Sequence, residues 1–132
     1  MNATTTQIGR YGEDLAAAHL IENGFTVIRR NYRMGRNEVD IIAENEDYIL
    51  FVEVKTRSSL TADAHSPYGR PSRAVTHDKQ VRTLAAARAY LRSHPTAKRP
   101  RMDVIELYLK REDSAAPSLL RLEWIPNAYR QQ

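Results

Sequence analysis

The chain has 132 residues, which is enough for one domain with a hydrophobic core and too few for two sizeable ones, so we predict a single domain over residues 1–132. Hydrophobic residues make up 42% of the chain and charged residues 27%, which is typical of globular proteins and not of disordered ones. The chain has no cysteine and no basic-then-apolar signal pattern at its N-terminus. These features exclude disulfides and thiolate metal sites, and they favour a cytoplasmic location.

The formal net charge is +4, but the positive charge is concentrated in one block. Residues 56–101 carry 10 basic and 2 acidic side chains, whereas residues 1–55 carry 6 basic and 9 acidic ones. Such a block indicates a polyanionic partner, and it fits a solvated basic helix equally well.

The N-terminal part of the chain predicts a helix over residues 5–23. Thr4 and Gln7 have the spacing of a capping box at its start, and Gly24 suits the position after its end. Residues 25–33 then have the composition of a short strand.

The next part predicts a β-hairpin. Two apolar segments rich in β-branched residues, 37–43 and 48–55, flank a short acidic turn. Residues 56–75 hold serine, proline and glycine without periodicity, so we predict a long flexible loop there.

The C-terminal half predicts a helix and two strands. Thr76 suits an N-cap, and the helix is expected over residues 77–93, before a proline. Residues 101–109 and 119–125 are expected to form strands. The order helix, three strands, helix, two strands predicts a mixed α/β sheet flanked by helices.

Two carboxylates are predicted to lie opposite each other on the hairpin. Side chains alternate between the faces of a strand, and a two-residue loop pairs residues whose numbers sum to an odd value. With Glu46-Asp47 as the loop, Asp40 lies opposite Glu53, and Glu38 lies opposite Lys55.

Two carboxylates placed opposite each other are explained if a cation binds between them. Two facing carboxylates repel each other, and a divalent cation such as Mg²⁺ between them reverses that effect. Lys55 adds a positive charge that can stabilise an attacked phosphate, so the set suits metal-dependent phosphodiester hydrolysis. In the alternative interpretation, Asp40 and Glu53 are exposed edge-strand acids and Lys55 pairs with Glu38.

The spacing of Asp40, Glu53 and Lys55 is similar to the PD-(D/E)-x-K nuclease signature, although Val39 stands where the signature has proline. Over nearly its whole length the chain resembles the YraN family of small bacterial proteins, which is similar to archaeal Holliday-junction resolvases. Asn37 departs from the glycine usual in that family. The segments that carry the resemblance are "GRYGEDLAAAHLIENGF", "RNYRMGRNEVDIIA", "FVEVKTRSS", "KQVRTLAAARAYL" and "RMDVIEL".

The resemblance implies a restriction-endonuclease-like fold and a role for each matching residue. Asp40, Glu53 and the carbonyl of Val54 would hold Mg²⁺ or Mn²⁺, and Lys55 would be the catalytic lysine. Glu13 would complete the metal site. Glu38 is a possible auxiliary residue because it shares the face of Asp40 on the hairpin. Gln80 is another, because related nucleases often have a site residue at this place on the second helix.

The expected partner is nucleic acid, with branched or junction DNA as one candidate substrate. Junction cleavage requires two cuts, so a two-fold homodimer is expected, and residues 120–125 are a candidate contact surface. A non-catalytic nucleic-acid-binding protein and an RNA nuclease are the alternatives. The candidate nucleic-acid contacts are Arg57, Arg70, Arg73, Lys79 and Arg82.

Overall fold

The computed structural model describes residues 4–59, 76–112 and 116–129. In these residues it forms two helices and five strands, in the predicted order. The elements are α1 (Thr5–Glu22), β1 (Thr26–Met34), β2 (Asn37–Glu44), β3 (Tyr48–Ser59), α2 (His77–Ser93), β4 (Arg99–Lys110) and β5 (Ser118–Tyr129).

The strands form one mixed sheet in the order β1-β2-β3-β4-β5. The first three strands pair antiparallel, β3 and β4 pair parallel, and β5 returns antiparallel to β4. A parallel pair requires a long crossover, and α2 lies in the connection between β3 and β4. The predicted mixed α/β fold is therefore confirmed.

Local sequence explains where both helices begin. Thr4 and Gln7 form the predicted capping box of α1, and Gly24 follows its end with a φ of 89°, which glycine adopts readily. Thr76 caps α2 by accepting a hydrogen bond from the Lys79 amide at 3.2 Å. This cap fixes the first turn of α2, where Lys79 lies.

The two helices cover opposite faces of the sheet, because alternate side chains of the same strands belong to two separate hydrophobic clusters. On the face covered by α1, the cluster includes Ile8, Leu20, Ile41, Leu50, Val52 and Ile105. On the face covered by α2, it includes Tyr32, Ile42, Phe51, Ala86, Tyr90 and Met102.

The predicted loop over residues 56–75 was wrong at its start. Residues 56–59 continue β3 and pair with residues 107–110 of β4 in parallel. The serines and the arginine there lack a strand-like pattern, but β4 supplies the backbone hydrogen-bonding partner. Residues 60–75, including Arg70 and Arg73, lie outside the described residues.

No helix in the described part of the chain is long and apolar enough to cross a membrane.

Candidate active site

The hairpin has the predicted register. Residues 41–44 pair with residues 49–52, and each pair of numbers sums to an odd value. The side chain of Asn45 accepts hydrogen bonds from the amides of Asp47 and Tyr48, at 2.9 and 2.8 Å, and so stabilises the two-residue loop. This confirms the register from which Asp40 and Glu53 were placed side by side.

The ladder between β2 and β3 ends just before the two carboxylates. Beyond Ile41 and Val52 no further pair is formed, and Asp40 Oδ2 accepts a hydrogen bond from the Val54 amide at 2.8 Å. Asp40 and Glu53 line the same cleft, and the charge of the Glu53 carboxylate acts on Asp40. The Asp40 side chain thus satisfies a β3 amide at the point where the ladder stops.

Glu38 does not form the ion pair with Lys55 that the alternative interpretation required. Its Oε2 lies 3.5 Å from Arg33 Nη2 on the neighbouring strand β1. The predicted pairing of Glu38 with Lys55 fails because the β2–β3 ladder ends before it reaches them.

These residues line one cleft where β2 and β3 separate, near the first turns of both helices. The predicted residues Glu13, Glu38, Asp40, Glu53, Val54 and Lys55 all lie in its wall. The cleft also takes side chains from α1, from α2 and from just beyond β4, namely Arg10, Lys79 and Arg111. The structure therefore brings together residues from distant parts of the sequence, such as Arg10 and Arg111.

Glu53 is buried, with 2% of its surface exposed, and its two oxygens have different surroundings. Oε1 lies 2.6 Å from Lys79 Nζ, whereas Oε2 is buried without a hydrogen-bonding partner. A buried carboxylate oxygen without a partner is costly in a protein. Glu106 Oε2 is in the same state, but Glu53 differs from Glu106 in that it also lines the cleft, where a bound cation would be its partner.

Burial and neighbouring charges shift the pKa values of Asp40, Glu53 and Lys79. Burial and the neighbouring Glu53 carboxylate raise the pKa of Asp40 to about 7, and the Val54 hydrogen bond opposes the shift only in part. Burial also raises the pKa of Glu53, although Lys79 acts in the opposite direction. Burial lowers the pKa of Lys79, but the contact with Glu53 outweighs it, so that pKa is raised overall.

Glu13 lies in the cleft wall and is held by β1. Its Oε1 accepts hydrogen bonds from Arg30 Nε at 2.9 Å and from Asn31 Nδ2 at 3.1 Å. Asn31 has a φ of 54°, a left-handed conformation that asparagine tolerates better than most residues. An asparagine inside a predicted strand was the signal for this left-handed residue, and the sequence reasoning missed it.

The other candidate residues, Arg57, Gln80 and Arg82, are not in the described lining of the cleft. Arg57 Nε pairs with the buried carboxylate of Glu106 at 2.5 Å. Gln80 and Arg82 lie on α2, and neither belongs to the described lining of the cleft. Lys79, which was predicted only as a nucleic-acid contact, instead reaches the acidic pair.

Arg10 and Arg111 are cleft residues that sequence reasoning missed. Arg10 is exposed on the first turns of α1. Arg111 Nε donates a hydrogen bond to Ser58 Oγ at 3.1 Å, which ties the end of β4 to β3. No local pattern marks either residue, because both reach the cleft only through the packing of the sheet.

The sequence was compared with those of known proteins. The profile of the uncharacterised protein family UPF0102 matches residues 12–107, which is more than half of the chain. The chain belongs to the UPF0102 family. Since UPF0102 is the YraN family, the resemblance drawn from the motifs is confirmed.

UPF0102 relatives align with nearly the whole chain. A UPF0102 protein of Chlorobium phaeobacteroides strain BS1 is 41% identical over 92% of this chain and 93% of its own. A UPF0102 protein of Clostridium acetobutylicum is 38% identical over 98% of both chains. The region that matches the UPF0102 profile contains Asp40, Glu53, Lys55 and Lys79.

The residues of the cleft fit a divalent cation bound mainly by water and substrate. Within residues 4–59, 76–112 and 116–129, no group of three or more histidine, cysteine, aspartate or glutamate side chains is placed to hold a metal ion. Mg²⁺ often binds through only one or two carboxylates, keeps several waters and adds phosphate oxygens. Asp40 and Glu53, with the unpartnered Oε2 of Glu53, match that donor set.

Proposed function

We propose that this chain is a metal-dependent endonuclease that hydrolyses phosphodiester bonds in DNA, with Mg²⁺ or Mn²⁺ held by Asp40 and Glu53. The observation that carries the proposal is that these two acids line one cleft, where Glu53 is almost fully buried and keeps an oxygen without a hydrogen-bonding partner in the protein. Lys55 lines the same cleft, as the nuclease signature requires.

Three residues of the cleft, Asp40, Lys55 and Glu13, would each have a separate role in hydrolysis. The Val54 amide holds Asp40 in place through Oδ2, and the Asp40 carboxylate would bind the cation together with Glu53. Lys55 would stabilise the negative charge that develops on the attacked phosphate. The cation, when bound, supplies Lewis-acid stabilisation and lowers the pKa of its water. Glu13, fixed by Arg30 and Asn31, would orient water at the other wall.

The cationic side chains of the cleft suit a nucleic acid backbone once a bound cation has neutralised the acidic pair. Four cationic side chains from four parts of the fold line the cleft, namely Arg10, Lys55, Lys79 and Arg111. Phosphate contacts of this kind position a nucleic acid without reading its sequence. The resemblance to Holliday-junction resolvases is the reason to propose branched or junction DNA as the substrate, cut by a two-fold dimer.

The test is a cleavage assay on junction, flap and single-stranded DNA with Mg²⁺ or Mn²⁺. Asp40→Asn, Glu53→Gln and Lys55→Ala are each expected to reduce the cleavage rate by about 100-fold or more, because each removes charge stabilisation from the transition state. Glu44→Gln is the matched control. It lies on the same strand as Asp40 but pairs with Lys98 at 2.6 Å, outside the cleft lining of the described residues.

Two other outcomes would redirect the proposal. DNA binding that weakens with salt, without cleavage of any substrate, would favour the non-catalytic accessory role. Cleavage of RNA but not of matched DNA would favour a ribonuclease. Cleavage that is equal in the wild type, Asp40→Asn and Lys55→Ala would exclude this cleft as the active site.

A further inference from the structure

Lys79 makes a short ion pair with the same carboxylate that is expected to bind a metal. Its Nζ lies 2.6 Å from Glu53 Oε1, and its side chain is 47% exposed, compared with 3% for Glu53. The ammonium group therefore reaches inward from the cleft mouth to a buried acid. It is a cation already resident at the acidic pair.

The position of Lys79 is fixed at the backbone but not at the side chain. The Lys79 amide donates to the Thr76 hydroxyl at 3.2 Å, and its carbonyl accepts from the Thr83 hydroxyl at 2.9 Å. These bonds hold the residue in the first turn of α2. The flexible four-carbon stem leaves the ammonium able to move between Glu53 and the solvent-filled cleft.

A divalent cation bound by Asp40 and Glu53 would weaken the ion pair between Lys79 and Glu53. The ammonium and the metal would both need the Glu53 carboxylate, and like charges a few ångströms apart repel strongly in a partly buried site. At the mouth of the cleft, a nucleic acid phosphate offers the ammonium a new partner.

We infer that Lys79 is the resident counter-cation of the Asp40–Glu53 pair, and that it leaves Glu53 when a divalent cation binds and then contacts a phosphate of the nucleic acid. This inference rests on the proposed function, because it assumes that the pair binds metal. It makes Lys79 a positioning residue in the metal-free protein and a substrate contact in the metal-bound one.

The first experiment measures metal affinity without nucleic acid, by calorimetric titration of the full chain with Mn²⁺ at pH 8.5. Lys79→Met removes the competing cation, so we expect Mn²⁺ to bind about tenfold or more tightly than to the wild type. Arg82→Met is the matched control, since it removes one positive charge from an exposed position on the same helix. Its Mn²⁺ affinity is expected to equal that of the wild type.

The second experiment measures the salt dependence of DNA binding in a Lys55→Ala background, which prevents cleavage under the proposed mechanism. With Mn²⁺, Lys79→Met is expected to lower the magnitude of the slope of log affinity against log salt by about 1, because one phosphate contact is lost. With EDTA, the slope is expected to be the same with and without Lys79. A damaged fold would not produce this metal-specific difference.

Different results of these experiments would overturn the role of Lys79 and the proposed nuclease function. Mn²⁺ affinity in Lys79→Met equal to or weaker than the wild-type value would overturn the inference, as would an equal gain in Arg82→Met. Lys79→Gln is measured in parallel, so the comparison does not depend on one variant. A wild-type chain that binds no Mn²⁺ would overturn the proposed function itself.

Discussion

At the scale of single residues, side-chain alternation was enough to place Asp40 and Glu53 in one cleft, although the ladder ends before it pairs them. The reason is that a two-residue hairpin loop fixes the register of the strands, and this register is observed. The contact between Lys79 and Glu53 could not be predicted in this way. It depends on how α2 packs against the sheet, and no local rule of sequence gives that placement.

Another residue-scale contrast distinguishes a structural carboxylate from a candidate catalytic one. Asp103 is fully buried, and it accepts hydrogen bonds from Arg101, from the Trp124 indole at 2.8 Å and from the Asn127 amide at 2.9 Å. Asp103, on β4, therefore stabilises the packing of β5 through hydrogen bonds from two of its residues. Glu53, also buried, keeps an oxygen without a hydrogen-bonding partner, as Glu106 does, but of these three acids Glu53 alone is in the described lining of the cleft.

The raised pKa of Asp40 predicts how stability depends on pH. Its pKa of about 7 in the folded chain lies above the ordinary value of 3.8, so the unfolded chain releases this proton first as the pH rises. The free energy of unfolding should therefore fall between about pH 4 and pH 7. Asp40→Asn removes the ionisation, and we expect it to be more stable than the wild type by about 4 kcal/mol at pH 8.

The measurement is urea denaturation of both chains in EDTA from pH 4 to pH 8. The advantage of Asp40→Asn should shrink toward zero at the acid end, where Asp40 is protonated. Glu44→Gln serves as the control with the same charge change on the same strand. A stability difference that does not vary with pH would show that Asp40 ionises normally.

At the scale of elements, β3 creates the opening for the site. It pairs with β4 along its whole length but with β2 only over residues 49–52. The edge of β3 after Glu53 is thus released from β2, which leaves room for the carboxylates. The sequence showed β3 only up to Lys55, because the residues that follow it have the composition of a loop.

The contact between α1 and β3 depends on Gly12. A Cβ atom at this position would lie 2.0 Å from Thr56 Oγ1, so α1 could not keep its distance from β3. Gly12→Ala is therefore expected to destabilise the chain by about 1–3 kcal/mol, as overpacking generally does. Urea denaturation measures this change.

Gly9 provides a matched control in the same helix. A Cβ there meets nothing within 4 Å, so Gly9→Ala is expected to stabilise α1 by about 0.5–1 kcal/mol through helix propensity. Combining Gly12→Ala with Thr56→Ala should recover part of the loss, because the clashing atoms are removed. Equal effects of the two glycine substitutions would show that the close approach is not important for stability.

At the scale of the whole molecule, the basic block counted from the sequence is less available than its charge implies. Several of its side chains are paired with acids of the same chain. These pairs are Arg57 with Glu106, Lys79 with Glu53, Lys98 with Glu44 and Arg101 with Asp103. A charge count along the sequence cannot see such pairs, since the partners are as many as 54 residues apart.

The charges of the cleft nearly cancel in the absence of metal. Four cationic side chains face four acidic ones, Glu13, Glu38, Asp40 and Glu53. A polyanion gains little from such a surface until the acidic pair is neutralised. We therefore expect the double variant Asp40→Asn with Glu53→Gln to bind DNA about tenfold more tightly than the wild type in EDTA, as measured by fluorescence anisotropy.

The same variant should lose the response to metal. Adding a divalent cation at constant ionic strength should strengthen DNA binding by the wild type but not by the double variant, because the carboxylates that would bind the cation are gone. The control is Glu22→Gln with Glu44→Gln, which changes the net charge equally at positions outside the described cleft lining. If this control gained the same affinity in EDTA, net charge would govern DNA binding, and the cleft would have no special part in it.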